Sequence, residues 1–84
     1  MSYVLKWSHR SEKFLSKLSP FISQRIVDKI ESMTENPHRT AEQCEGFPWY
    51  HQRVGSYRVV LDIDDTALTM EVLKVGLRKK VYKR

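Results

Sequence analysis

Hydrophobic positions change their period along this chain. From Tyr50 to Val54 and from Tyr57 to Ile63, β-branched and aromatic residues alternate with polar ones, and only Gly55-Ser56 separates the two runs. That pattern predicts a β-hairpin with glycine at the first turn position. With a two-residue loop, Val54 faces Tyr57, Arg53 faces Arg58, Gln52 faces Val59 and His51 faces Val60. Upstream the period lengthens to that of a helix. Phe14, Leu15 and Leu18 form an apolar stripe with Arg10, Lys13 and Lys17 on the wet side. Ser8 or Ser11 is placed to cap this first helix. Ser19 caps a second, Pro20 occupies its first turn, and Ile22, Ile26, Ile30 and Met33, with Val27 alongside, line its apolar face until Asn36-Pro37 ends it. Tyr3 to Trp7 alternates as a short opening strand. Leu68 to Val75 is a third long strand after a turn at Asp64-Asp65-Thr66, and Gly76 is expected to break it. Pro37 to Pro48 has no period and reads as a loop.

The resulting order is β-α-α-β-β-β, with a further short strand expected around Lys80 to Tyr82. This is an α+β fold in two layers, a helical hairpin on one face of a mainly antiparallel sheet of four to five strands. Tyr50, Val54, Tyr57, Val59, Leu61 and Ile63 fall on the helix side, and His51, Arg53 and Arg58 on the open side. At 84 residues the chain holds a single domain, 1–84, with one modest core.

The alternation therefore puts two arginines side by side on uncovered sheet. Like charges directly opposite cost a hairpin about 0.2 to 1 kcal/mol. A shared anion would offset that cost, and paired guanidinium forks match the oxygens of a phosphate. Composition points the same way: Lys+Arg 15 against Asp+Glu 10 leaves a formal charge of +5, which favours polyanionic partners. Cys44 is the only cysteine, so no internal disulfide forms and a reducing cytoplasm fits best. No opening segment reads as a signal peptide, and no apolar run approaches the roughly 18 residues of a membrane span, so a soluble protein without a membrane partner is expected.

Arginine holds its proton at physiological pH, so Arg53, Arg58 and Arg78 can stabilise phosphate charge but are poor bases. Some other group must move protons. His51 lies two residues from Arg53 on the same face, and a neutral imidazole there could accept a proton from a ribose 2′-OH. Tyr82 offers a ring for base stacking, and Lys79, Lys80, Lys83 and Arg84 add backbone attraction. No cofactor is implied and no metal site is expected, because the histidines and the cysteine lack ligand spacing. Asp62, Asp64 and Asp65 read as a solvated turn with one outward carboxylate, and Ser8 and Ser11 beside His9 as helix caps. Taken singly, the other residues have plain roles too. Arg53 and Arg58 could be spread by salt bridges to Asp62 or Glu71, and His51 could be an ordinary exposed strand residue. Tyr82 could pack the tail, Arg78 could be a solvated charge, Trp7 and Trp49 could pack at the sheet margins, and Cys44 could be an inert loop or partly buried thiol. Convergence on one face is what raises the functional reading.

Trp7-Ser8, Phe14-Leu15 with Leu18, Glu35-Asn36-Pro37, Gly46-Phe47-Pro48, Arg53-Val54-Gly55-Ser56-Tyr57-Arg58-Val59 and Leu73-Lys74-Val75-Gly76, running into Arg78 and Val81-Tyr82, occur in this order. In that order and spacing the chain resembles the RelE/ParE superfamily of small toxins from prokaryotic toxin-antitoxin pairs, over nearly its whole length, and in particular the RelE-like branch. The resemblance implies a ribosome-dependent endoribonuclease that cuts messenger RNA, without metal, by attack of the ribose 2′-oxygen on the adjacent phosphate. It places the phosphate-stabilising arginines on Arg58 and Arg78 and the base-stacking tyrosine on Tyr82. A pair of family lysines falls on His51 and Arg53, so an easily deprotonated amine is lost and His51 or Lys80 becomes the candidate proton carrier. Gln52 stands where the family usually has an aliphatic residue; near a sheet end, its amide would reach water. The implied partners are a small cognate antitoxin, in a possible heterotetramer, with the ribosome and its message. The same fold also serves ParE-like inhibitors of DNA gyrase and could persist in an inactive antitoxin-binding member.

Overall fold

The computed structural model describes residues 2–78. Strand β1 (Val4–Trp7) leads into helix α1 (His9–Ser16) and helix α2 (Pro20–Ser32). Two 3-10 turns, Met33–Glu35 and Pro37–Arg39, then carry the chain to strands β2 (Glu42–Gln43), β3 (Tyr50–Val54), β4 (Tyr57–Asp64) and β5 (Thr69–Leu77). The sheet runs β1-β5-β4-β3-β2, antiparallel throughout except that β1 lies parallel to β5. The α+β sandwich expected from the periodicity is thus the fold.

Both helices start where their serines predict. Ser8 accepts a hydrogen bond from the Ser11 amide, and Ser19 accepts one from Ile22 with Pro20 in the first turn. Their apolar stripes close over one sheet face: Ile26, Ile30 and Met33 meet Val54, Val59, Leu61, Ile63, Met70, Val72 and Val75 in one buried cluster. Phe14, Leu15, Leu18, Ile22 and Trp7 pack against it. Burying such side chains contributes about 1.5–3 kcal/mol each, which is why β4 must keep its alternation in register.

Two expectations for the chain's path change. The segment Pro37 to Pro48 is not all loop: Glu42 and Gln43 pair with His51 and Tyr50 as an edge strand, invisible to periodicity because neither residue is apolar. The sheet's additional strand is therefore β2, and the expected strand around Lys80 to Tyr82 lies outside the described residues. Gly76 does not break β5, which continues to Leu77 with Gly76 paired to Arg58. Between them, the ladder slips by one residue near Val60 and Leu61, so that Leu73 is the extra residue on β5. The helix cap is clipped to this bulge. Ser8 donates from its amide to the Val72 carbonyl (2.9 Å) and from Oγ to the Leu73 carbonyl (3.1 Å), and the buried Ser11 Oγ lies 3.4 Å from the Val72 carbonyl.

The other end of the sheet is held by one carboxylate. Asp65 Oδ1 accepts from the Tyr3 hydroxyl and meets His38 Nε2, both at 2.7 Å. Its neighbour Asp64 accepts from the amides of Thr66 and Ala67, closing the β4–β5 turn. Asp64 and Asp65 thus belong to the expected turn, and Asp65 in addition tethers Tyr3 and His38.

Candidate nucleic-acid interface

The hairpin that carries the arginines is a tight one. Gly55 has a φ of 59° and is the sole turn residue with positive φ in it, the signature of a type II′ turn. A Cβ there would also sit 3.1 Å from the Arg25 guanidinium, which would have to shift. With this loop, the register is the one the alternation implies: Val54 opposite Tyr57, Arg53 opposite Arg58, Gln52 opposite Val59 and His51 opposite Val60.

Residues directly opposite on neighbouring strands share a face, so the register lays out the uncovered side in rows. At the hairpin end, Arg53, Arg58 and Gly76 are aligned across β3, β4 and β5. Glycine at the third position contributes no side chain of its own beside Arg58. The Arg78 amide donates to the Ser56 carbonyl at 3.0 Å, which ties the start of the basic tail to the same turn. The next row is Glu42, His51, Val60 and Lys74. Farther along, Asp62 faces Glu71, which faces Lys6. Asp62 is four residues from Arg58 on β4, roughly 13 Å along the strand, and is closer to this third row than to the arginines. The face is thus graded, cationic at the hairpin and mixed at the far end.

Burial distinguishes the two arginines. Arg53 is exposed, whereas Arg58 is 6% exposed. The Nε of Arg78 is enclosed without a hydrogen-bond partner among the described residues. Tyr82, Lys79, Lys80, Lys83 and Arg84 lie outside the described residues.

His51 is not the ordinary exposed strand residue of the plainer reading. Its side chain is 15% exposed and bonded on both nitrogens: Nε2 to Glu42 Oε1 at 3.2 Å and Nδ1 to Cys44 Sγ at 3.6 Å. Cys44 is a partly buried loop thiol, as its plain reading expected. Burial pushes its pKa up, and the Arg58 guanidinium pulls it partly back, which puts the thiol within the field of the arginine row. Lys74 and Glu42 were missed from sequence. Lys74 follows a bulge that shifts which β5 residues face outward, and Glu42 belongs to a strand without an apolar residue.

Two further expectations are corrected. The Gln52 amide does not reach water: the residue is 7% exposed, its Oε1 accepts from Thr40 Oγ1 at 2.7 Å and its Nε2 donates to the Arg53 carbonyl at 3.0 Å. A buried amide with both ends satisfied carries little penalty, which explains a polar residue at a core-facing position. Trp49 is not packed at the sheet margin but stacks on Phe47, centroids 5.3 Å apart, with both rings more than a third exposed.

This fold is that of a small toxin class. A sequence profile of the ParE toxin of type II toxin-antitoxin systems matches residues 5–82, and the chain belongs to that family, within the RelE/ParE superfamily. It is 28% identical over 87 residues to toxin RelG of Mycobacterium tuberculosis, the alignment covering all of both chains. Among solved structures it is similar to the RelBE2 toxin-antitoxin complex of M. tuberculosis, with TM-score 0.82 and 26% identity over 93% of this chain and 100% of that one. It is also similar to the intact E. coli RelBE toxin-antitoxin complex, with TM-score 0.80 and 26% identity over 90% of this chain and 96% of the other. Among the described residues, no helix is long and apolar enough to cross a membrane.

Proposed function

We propose that this toxin is a ribosome-dependent endoribonuclease that cleaves messenger RNA by attack of a ribose 2′-oxygen on the adjacent phosphate. The observation that carries the reading is the row Arg53, Arg58, Gly76, with Arg78 tied to the same turn through Ser56. Two facing cations on neighbouring strands, with a third tied to their turn, gather positive charge suited to a phosphate. In this reading Arg58 and Arg78 stabilise the charge that builds on the pentavalent phosphorus, and Arg53 neutralises the incoming backbone. His51 takes the 2′-OH proton as the 2′-oxygen bonds to phosphorus; the bond to the 5′-oxygen breaks and that oxygen takes a proton from water. Tyr82 stacks the neighbouring base, and Lys79, Lys80, Lys83 and Arg84 hold the RNA backbone. With so little acid-base equipment, the enzyme relies on the ribosome to align the message.

The neighbours solved as toxin-antitoxin complexes support a cognate antitoxin that covers or distorts the basic face, in a heterotetramer. The ParE description of the matching family keeps gyrase inhibition as the competing reading. One experiment separates them: the chain is expressed without antitoxin, and the 5′ ends of cellular messages are mapped together with DNA integrity. Cut messages that disappear on Arg58→Ala and Arg78→Ala support the ribonuclease. Intact messages with double-strand DNA breaks overturn it in favour of gyrase.

A further inference from the structure

His51 has two nitrogens, and a proton acceptor must present the bare one. The surroundings of the ring decide which that is. Glu42 is a carboxylate and can only accept, so at 3.2 Å the Nε2 facing it must carry the hydrogen. Two lone pairs would otherwise point at each other. In the neutral ring, Nδ1 is then the basic nitrogen. It faces the Cys44 thiol at 3.6 Å, and the thiol in turn lies within the field of Arg58. The bare nitrogen thus faces Cys44, and the protonated one faces the sheet edge.

We infer that Glu42 is a positioning residue for His51, holding the Nε2–H tautomer so that Nδ1 is the atom that receives the ribose proton. The inference rests on the ribonuclease reading for its chemistry but not for its geometry. Burial keeps Cys44 protonated, so at rest its S–H occupies Nδ1 as a weak donor, and the 2′-OH replaces it when RNA is in place. The proton then moves from O2′ to Nδ1 while the O2′–P bond forms and the P–O5′ bond breaks. The carboxylate of Glu42 steadies the imidazolium, the role of the third member in other nucleophile-base-carboxylate arrangements. Glu42 sits where it does only because the two-residue strand β2 pairs it with His51.

The test is ¹⁵N NMR of histidine-labelled full-length toxin, with His51→Gln assigning the ring, alongside single-turnover cleavage of ribosome-bound message. The expected result is an Nε2–H tautomer for His51 that becomes mixed in Glu42→Ala and is restored in Glu42→Gln, whose amide oxygen still accepts. Cys44→Ala should leave the tautomer unchanged. Cleavage should slow about tenfold to a hundredfold in Glu42→Ala at similar KM, within the roughly 10²–10⁴-fold supplied by a general base, with partial recovery in Glu42→Gln. An Nδ1–H tautomer in the wild type, or one that follows Cys44→Ala instead of Glu42→Ala, overturns the inference. A wild-type toxin with the expected tautomer that cuts no message defeats the ribonuclease reading and leaves the positioning by Glu42 intact.

Discussion

Val59 and Arg58 are neighbours on β4 and nearly equally hidden, at 0% and 6% exposure, yet they serve opposite ends. Val59 points into the helices, where Ile26 and Ile30 surround it with hydrocarbon. Arg58 points to the uncovered side, where its neighbours across the ladders are another arginine and a glycine. Burial on the first face is the source of stability. On the second it takes a charge largely out of water, which strengthens its interaction with an anion. One strand thus separates folding from binding by the pleat alone, and the separation can be attacked from either side.

The largest effect is expected on the covered face. Leu61→Ala removes a fully buried side chain and should cost about 2–5 kcal/mol, read from the urea midpoint. Arg58→Ala, on the opposite face, should reduce cleavage of ribosome-bound message by about 10²–10³-fold while moving the urea midpoint less than Leu61→Ala does. Equal destabilisation by the two, with cleavage retained in Arg58→Ala, would erase the distinction between the faces.

Ser8 links them. It caps α1 on the helix side and bonds the Val72 and Leu73 carbonyls at the bulge that sets which β5 residues face outward. Ser8→Ala should therefore cost about 1 kcal/mol, with Ser8→Thr close to wild type. A smaller change sharpens the comparison further. Arg53→Thr removes a like-charge pair and should stabilise the fold by about 0.2–1 kcal/mol, yet weaken RNA binding and flatten its salt dependence by roughly one contact. Stability and affinity moving in the same direction would mean that the pair is not strained by its own charge.

How much of this was legible in sequence follows the same divide. The register of β3 and β4 could be read because two turn residues admit one pairing and a core face forbids slippage. Ser8 and Ser19 could be read because capping is local. Strand β2 could not, since Glu42 and Gln43 carry no hydrophobic mark and pair only because β3 offers a free edge. With β2 went the His51 environment: Glu42 is nine residues and Cys44 seven residues from His51 in sequence, a spacing with no helical or strand meaning until the edge pairing folds them together. The continuation of β5 through Gly76 was hidden for a related reason. Glycine is a strand breaker by propensity, but here Gly76 pairs with Arg58 and the ladder carries on to Leu77.

The smallest expected effect lies at the end of the sheet away from the hairpin and tests whether charge supports the fold there as it supports binding at the arginines. The Tyr3 hydroxyl bond, followed by the bond to His38, holds the Asp65 carboxyl below its ordinary value of 3.8. A carboxylate with a lowered folded pKa adds stability that is present above the unfolded value and disappears as pH falls through the folded one. Wild-type stability should therefore decline below about pH 3.8, and Asp65→Asn should remove part of that slope while lowering the plateau at neutral pH. The same bond pushes the Tyr3 phenol above 10.0, a contribution present below that value and lost as pH rises through the raised one. Thermal melts across both limbs, in wild type and Asp65→Asn, check the pair of signs together. If Asp65→Asn leaves both limbs unchanged, the tether among Tyr3, His38 and Asp65 is not what holds this end, and the apolar face alone suffices to align β1 with β5.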